Sequence, residues 1–350
     1  MTLPRAAFYA PLKSPDHPVP SGDRTVARLY RKVLERAGFS VELASALRGY
    51  DGAGDAAAQA AIEAGAERER ARLGAAWRAS PALRPRLWAT YHLYYKAPDL
   101  LGPPLCAEFG IPYVVVEPSH APKRAAGGWA AFHRACERAI AAADLAILPT
   151  TRDATCVRML RGDRPSVVIP PFIDIEGWPE PPSRRPETPL RMIAVAMMRA
   201  GDKLRSYRLL AESLAALRFD DWRLTVVGEG PARADVAAAF APFGERVRMA
   251  GLLAAPADLA AALSDADLFV WPAVNEAYGM ALLEAQAMGL PVVAGDEGGV
   301  AEVVRHGQTG LLAPPRDPAA FARAIETLAE DSGLRLRLGR EAGDFVRSER

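Results

Sequence analysis

Two glutamates are spaced so that the end of a strand and the start of a helix would hold them. Glu276 and Glu284 enclose seven residues in the segment N-E-A-Y-G-M-A-L-L-E, which follows an apolar run ending at Trp271. We expect Glu276 in the loop after the strand and Glu284 about one turn inside the helix. A carboxylate before the helix can accept hydrogen bonds from sugar hydroxyls, and the second can bind a ribose diol. Without such a ligand, both are ordinary helix-start and solvated acids.

The start of this helix, predicted over residues 279–288, offers backbone N–H groups between the two acids. Gly279, Met280 and Ala281 lie in the first turn, where amide groups have no acceptor within the helix. Such amides bind anions, and the helix dipole adds to the attraction. The segment could therefore bind a diphosphate together with its sugar and ribose.

Basic residues and a glycine turn follow two other predicted strands. Arg199 ends one strand, and Lys203 stands four residues later, where the next helix begins. A guanidinium and an ammonium group both neutralise phosphate oxygens; surface charge is the alternative. The turn at Gly228 and Glu229 would let the backbone approach a ligand closely. The alternative is that the backbone geometry of the turn alone determines its residues.

Apolar runs alternate with alanine-rich helical stretches along the chain, a pattern typical of parallel sheets covered by helices. The proline-rich, charged residues 177–187 predict a linker. We therefore expect an α/β fold with two Rossmann-like, doubly wound domains, residues 1–176 and 188–350, facing each other across a cleft. Ligands of such folds bind at the carboxyl ends of the strands.

Composition narrows the class of protein. Half of the 350 residues are hydrophobic and 24% are charged, which suits a globular protein with a core, and the net charge of +1 gives no reason to expect a nucleic acid partner. Cys106, Cys136 and Cys156 form no CxxC pair, which fits a reducing cytoplasm. The apolar runs are too short for a membrane span. The D-A-D run at residues 265–267 has metal-motif spacing but borders an apolar strand, and we predict no metal there.

The glutamate segment resembles the donor-binding signature of retaining glycosyltransferase family 4, also called glycosyltransferases group 1. The family pattern is Glu, seven residues and Glu, with an apolar run after an aromatic-glycine pair, here Tyr278-Gly279. The similarity continues through A-M-G-L-P-V-V-A, E-G-G-V-A-E-V-V and H-G-Q-T-G-L-L. The resemblance implies the GT-B fold, with the acceptor side in the first domain and the donor side in the second.

The resemblance also assigns roles to residues. A basic pair grips the donor diphosphate in the family, and Arg199 and Lys203 match it, although the A-G-D run before the lysine departs from the usual pattern. Residues implied in catalysis are Glu276, Arg199, Lys203 and His120. Residues implied in donor binding are Gly228, Glu229, Tyr278, Gly279, Met280, Ala281, Glu284 and Gly22.

The first-domain assignments rest on weaker matches. His120 follows a predicted strand in the E-P-S-H-A-P run, where the family commonly has a histidine near the donor sugar, and His92 is the competing candidate. Gly22 lies in an S-G-D-R run after the first strand that could touch donor phosphate or acceptor. A helix cap by Ser21 or Asp23 explains that run nearly as well.

The function implied is a hexosyltransferase-type reaction: metal-independent transfer of a sugar, with retention, from a nucleotide diphosphate sugar. No cofactor is expected besides this substrate. The acceptor is a carbohydrate, a glycolipid or a small molecule, and the location is cytoplasmic, with peripheral contact at the inner membrane face left open. Alternatives are an epimerase of the same fold, a phosphorylase, and a nucleotide-sugar-binding protein without catalysis. A dehydrogenase would need a GxGxxG turn after the first strand, which the sequence lacks.

Overall fold

The computed structural model describes residues 3–19, 21–185, 188–253 and 255–350. The chain divides into two compact units, residues 1–170 and 171–350. Each unit contains one parallel sheet of six strands. The prediction of two parallel-sheet domains is therefore confirmed.

The first unit alternates strands with helices from its start. Its strands are β1 (Arg5–Tyr9), β2 (Ser40–Leu43), β3 (Leu87–Tyr91), β4 (Tyr113–Val116), β5 (Leu145–Leu148) and β6 (Ser166–Val168). Its helices are α1 (Gly22–Arg36), α2 (Ala56–Ala79), α3 (Gly102–Phe109), α4 (Ala130–Ala142) and α5 (Thr151–Arg161). The strands pair in the order β2-β1-β3-β4-β5-β6, all parallel.

The second unit repeats this plan. Its strands are β7 (Leu190–Val195), β8 (Trp222–Val227), β9 (Val247–Gly251), β10 (Leu268–Trp271), β11 (Val292–Gly295) and β12 (Gly310–Ala313). Its helices are α6 (Asp202–Ala215), α7 (Arg233–Phe240), α8 (Pro256–Ser264), α9 (Met280–Ala287), α10 (Pro318–Glu330) and α11 (Ser332–Glu349). The strand order is β12-β11-β10-β7-β8-β9, again all parallel.

Burial explains why the central strands of the second unit read as continuous apolar runs. Every residue of β10 and β11 is buried, because helices cover both faces of the sheet at these positions. Each buried Val, Leu or Phe side chain stabilises the fold by about 1.5–3 kcal/mol relative to exposure. Since all strands are parallel, the loops after β7, β8 and β10 leave the same edge of the sheet, and these loops carry the predicted site residues.

The predicted linker lies within the second unit, because the division of the chain falls after Pro170. Within it, the Arg184 guanidinium donates hydrogen bonds to the carbonyl oxygens of Leu263 and Met288, each at 3.0 Å. Burial lowers the pKa of Arg184 to about 10. Residues 177–185 are thus fixed to the second unit, and residues 186–187 of the predicted linker lie outside the described residues.

Among the helices of the described residues, none combines the length and the apolar character that crossing a membrane requires.

Candidate functional site

Lys203 lies in the first turn of α6, beside the carboxyl end of β7. An ammonium group at a helix N-terminus is unfavourable next to the positive end of the helix dipole unless an anion lies close by. That anion is Glu276, whose carboxylate accepts a hydrogen bond from the Lys203 ammonium. The pair joins two loops that are far apart in sequence and that both leave the carboxyl edge of the sheet.

Glu276 lies in the loop between β10 and α9, as the sequence predicted. Its side chain is only 14% exposed, and the indole N–H of Trp271 donates to its Oε2 at 3.2 Å. The Lys203 ammonium also lies 5.5 Å from the centre of the Trp271 ring, a distance at which a cation is attracted to an aromatic face. Trp271 therefore orients both charged groups, a role that sequence reasoning did not assign to it.

The loop that carries Glu276 is held in an unusual backbone conformation. Ala273 and Asn275 have φ angles of 55° and 50°, which cost side-chain-bearing residues free energy. The Asn275 side-chain amide donates to Asp202 Oδ2 at 2.9 Å, and the Val274 N–H donates to the Ser206 hydroxyl at 3.0 Å. Both acceptors belong to α6, so these hydrogen bonds fix the loop before α9 to the start of α6.

The backbone of Glu276 is also fixed from the side of β11. The carbonyl oxygen of Glu276 accepts from the Gly299 N–H at 3.3 Å. A Cβ atom at Gly298 would lie 1.8 Å from this oxygen, and Gly298 has φ +72°. Only glycine permits this approach and this backbone angle. Gly298 and Gly299 of the E-G-G-V run thus fix the backbone position of Glu276.

Helix α9 begins directly after this loop, with Gly279 as its N-cap. The structure describes no hydrogen-bond acceptor for the N–H groups of Gly279, Met280 and Ala281, as expected for a first helical turn. Tyr278, Met280 and Ala281 are partly buried, with their side chains packed against the core. Because these side chains pack against the core, the groups that this turn offers to an anion are its backbone N–H groups.

Glu284 lies in the second turn of α9 and is partly buried. Burial raises the pKa of its carboxyl group to about 7. A helix residue whose charge is disfavoured by burial differs from a solvated surface acid, which is the alternative that the sequence left open. Perturbed carboxyl groups of this kind concentrate at functional sites.

Arg199 follows β7 and is exposed. The structure describes no ion pair or side-chain hydrogen bond for its guanidinium, in contrast to Lys203. Its backbone carbonyl accepts from the Leu204 N–H at 3.1 Å, which places Arg199 directly before the first turn of α6. A cation without a partner at this edge is available to an anionic ligand.

The turn after β8 is packed backbone to backbone against the turn after β7. The Glu229 carbonyl accepts from the Met198 N–H at 2.9 Å, and the Glu229 carboxylate pairs with Arg233 one helical turn later. A Cβ at Gly228 would lie 1.9 Å from the Ala196 carbonyl oxygen, and Gly228 has φ +148°. Backbone geometry, the alternative given for this turn, is sufficient to explain the glycine.

We expect Gly228→Ala to destabilise the protein by about 2–4 kcal/mol, because the new methyl group has to displace the Ala196 carbonyl and the backbone becomes strained. Thermal unfolding measures this as a lowered Tm. The control is Gly22→Ala, since a Cβ at Gly22 meets no atom within 4 Å and alanine favours a helix. Equal Tm values for wild type and Gly228→Ala would contradict the close approach.

The aspartates of the D-A-D run have structural partners. Asp267 is 4% exposed, and its carboxylate accepts from the Arg191 backbone N–H at 2.9 Å and from the Arg191 guanidinium at 2.8 and 3.0 Å. Asp265 follows the last turn of α8 as its C-cap. Asp267 therefore neutralises an arginine at the amino end of β7. The candidate site lies at the other end, where the carboxyl ends of the strands are.

In the first unit, His120 follows β4 and its Nε2 lies 3.0 Å from Glu137 Oε1. His92 directly follows β3 and has φ 54°, and its Nδ1 lies 3.3 Å from Asp23 Oδ1. Although burial opposes protonation of His92, the Asp23 carboxylate raises the pKa of this imidazole. Gly22 is the first residue of α1, and the Ser21 hydroxyl caps this helix by accepting from the Arg24 N–H at 3.3 Å.

A protein-family model matches most of the second unit. Residues 190–331 match the family model described as glycosyl transferases group 1. This segment contains Arg199, Lys203, Gly228, Glu276 and the start of α9.

Curated relatives match parts of the chain. A D-inositol 3-phosphate glycosyltransferase of Corynebacterium efficiens is 41% identical over 93 residues, which are 27% of this chain and 22% of the relative. The D-rhamnosyltransferase WbpZ of Pseudomonas aeruginosa is 32% identical over 179 residues, 50% of this chain and 47% of the relative. The aligned regions thus span less than half the length of these two relatives.

Solved structures match along the whole chain at low identity. Sucrose-phosphate synthase from Thermosynechococcus elongatus superposes with a TM-score of 0.75 at 18% identity, covering 99% of this chain and 94% of that one. Anabaena HepE in complex with UDP-glucose gives 0.68 at 18% identity, covering 98% and 95%. These similarities show a shared fold. The chain therefore has the GT-B fold, and residues 190–331 of its second unit match the model of the group 1 glycosyl transferases.

Proposed function

We propose that the chain transfers a sugar from a nucleotide diphosphate sugar to an acceptor hydroxyl, with retention at the anomeric carbon and without a metal ion. One observation carries the proposal: Lys203 and Glu276 meet beside the unpaired amides that open α9. This places a cation, an acid and an anion-binding turn at one edge of the second unit's sheet. HepE, a protein of the same fold, has been crystallised with UDP-glucose, which supports a donor of this class.

In this proposal the second unit stabilises the leaving diphosphate. Breaking the bond between the anomeric carbon and the phosphate oxygen leaves negative charge on the diphosphate and positive charge on the sugar ring. Lys203, Arg199 and the amides at the start of α9 are placed to neutralise the diphosphate, and preorganised donors of this kind each lower a barrier by about 3–4 kcal/mol. The acceptor oxygen forms the new bond, and the departing phosphate oxygen takes its proton.

Glu276 orients the sugar in this mechanism. Its carboxylate is already fixed by Trp271 and Lys203, so it needs little rearrangement before it accepts hydrogen bonds from sugar hydroxyls. When the diphosphate binds, the Lys203 ammonium lies between two anions and holds the sugar and phosphate ends of the donor together. A positioned contact of this kind keeps the anomeric carbon in reach of the acceptor.

Glu284 binds the ribose diol in this proposal, and its protonation gives a prediction. Its folded-state pKa of about 7 lies above its ordinary value of 4.5, so the folded state binds more protons than the unfolded chain. The contribution of Glu284 to stability is therefore fully present below pH 4.5 and is lost as the pH rises to about 7.

Glu284→Gln removes the ionisation, so we expect its Tm to exceed that of the wild type by several degrees at pH 8, with the gap declining from pH 7 to 4.5. Nucleotide affinity should fall in the same variant because the ribose loses a carboxylate. If the Tm of the variant differs from that of the wild type by the same amount at all pH values, the raised pKa of Glu284 is contradicted.

The acceptor and the location complete the proposal. We assign acceptor contacts to the first unit and leave the acceptor as a carbohydrate, a glycolipid or a small molecule. The three cysteines are free thiols, which supports a cytoplasmic location.

A panel of nucleotide sugars tests the proposal. Ligands that bind only the folded state raise its Tm, so the donor should be identified by thermal shift and then incubated with candidate acceptors. We expect sugar release and a product with the donor's anomeric configuration by NMR. Binding without release would favour a pure binding protein, and an epimerised donor without acceptor would favour the epimerase.

A further inference from the structure

A second cluster of chemically active side chains lies in the first unit, whereas the residues proposed to bind the diphosphate belong to the second. It consists of His120, in the loop after β4, and of His133 and Glu137, one turn apart on α4. His120 Nε2 lies 3.0 Å from Glu137 Oε1, and His133 Nδ1 lies 3.5 Å from Glu137 Oε2. The two imidazole rings are 5.5 Å apart between centres. One nitrogen of each histidine and one carboxylate oxygen all lie within 4.8 Å of one another.

The two histidines are buried without sufficient hydrogen-bond partners. The side chain of His133 is 2% exposed and that of His120 is 7% exposed. Within the described part of the chain, neither ring nitrogen of His133 has a hydrogen-bond partner, and Nδ1 of His120 has none. A buried polar group without a partner is destabilising, and three such nitrogens close together point to a ligand that the protein alone does not supply.

The donor set identifies that ligand. Two imidazoles and one carboxylate are ligands that zinc and neighbouring transition metals accept. Metal-bound nitrogens and oxygens lie about 2.0–2.2 Å from zinc, so ligand atoms around one ion are separated by distances similar to the 3.0 and 3.5 Å seen here. The spacing of four residues on α4 places His133 and Glu137 on one face of the helix.

We propose that His120, His133 and Glu137 bind one Zn²⁺-class divalent ion, with a fourth position open to water. The ion takes the place of the hydrogen bond between His120 and Glu137 and gives one ring nitrogen of His133 a partner. It fastens the loop after β4 to α4, and it requires no residue of the second unit. Its binding is therefore measured without reference to sugar transfer, and failure of one proposal leaves the other standing.

The test uses the full chain after metal removal by a chelator and dialysis. Calorimetry with Zn²⁺ is expected to show one ion per chain with a Kd in the micromolar range or below. Co²⁺ is expected to give the visible absorption of a four-coordinate site. His133→Asn and Glu137→Gln should each weaken Zn²⁺ binding at least tenfold. The matched control is His17→Asn, since His17 lies outside the cluster and its Nδ1 accepts a hydrogen bond from the Val19 N–H.

The proposal is overturned if the wild type binds no Zn²⁺ at concentrations about 100 times a micromolar Kd, or if the wild type and both variants bind Zn²⁺ with equal affinity. Tm values measured without metal establish that the variants are folded. X-ray absorption of the zinc-loaded wild type needs no variant, and we expect it to show two imidazole ligands. A shell of oxygen ligands alone would indicate adventitious binding and overturn the assignment.

Discussion

Glu276→Gln is expected to lower kcat for sugar transfer by about 10²–10³, the loss typical of removing one preorganised contact from a transition state. Glutamine keeps the size of the side chain and an oxygen that can accept from Trp271, so the loop should stay folded. It removes the charge that orients the sugar hydroxyls and that pairs with Lys203. Initial rates at saturating donor, combined with Tm, measure the effect.

The same variant should bind nucleoside diphosphate as tightly as the wild type or more tightly. In the unliganded protein Lys203 is paired with Glu276, and the variant leaves this cation free for phosphate. Loss of transfer without loss of diphosphate affinity separates the two roles. The control is Glu180→Gln, which makes the same chemical change at an acid that is 84% exposed. Near-normal turnover in Glu276→Gln would contradict its assignment.

Lys203→Ala is expected to weaken nucleoside diphosphate binding about 10–100-fold, because a hydrogen bond to a charged group contributes about 1.5–3 kcal/mol. Transfer should fall at least as much, since the charge on the leaving diphosphate grows as the bond breaks. Calorimetry with the free nucleotide measures the first effect, and steady-state kinetics measures the second.

Arg205→Ala is the matched control for Lys203. Arg205 belongs to the same helix turn, is exposed, and pairs with Asp202 three residues earlier. Its removal changes the net charge by the same amount and should leave nucleotide affinity within about twofold, because exposed charges are screened by salt. An equal loss in both variants would show that general charge, rather than the position of Lys203, determines binding.

The parallel sheets could be predicted because their strands carry strong local signals. The runs at β10 and β11 are apolar throughout, as expected for strands that helices cover on both faces. The sequence pattern did not predict β12 or α2. Helix α2 is rich in alanine and charged residues with few large apolar ones, so its sequence lacks the one-sided apolar stripe that indicates a helix.

The candidate site could be predicted only in part. Glu276 and Lys203 were both predicted as candidate site residues, but their contact with each other was not. It joins positions 73 residues apart, and no local sequence pattern encodes such a pair. The same limit applies to Trp271 and Gly298, whose roles follow from packing around the glutamate. His133 and Glu137 have the spacing of a helix face, yet their third partner, His120, lies 17 residues from Glu137 and meets them only through the fold.

The central claim is that the start of α9 binds the diphosphate of a nucleotide sugar. Crystals of the chain soaked with the donor found by thermal shift test it most directly. We predict phosphate oxygens within hydrogen-bond distance of the N–H groups of Met280 and Ala281 and of the Lys203 ammonium, with sugar hydroxyls at Glu276. A donor bound elsewhere, with this turn empty and Lys203 still paired only with Glu276, would contradict the account.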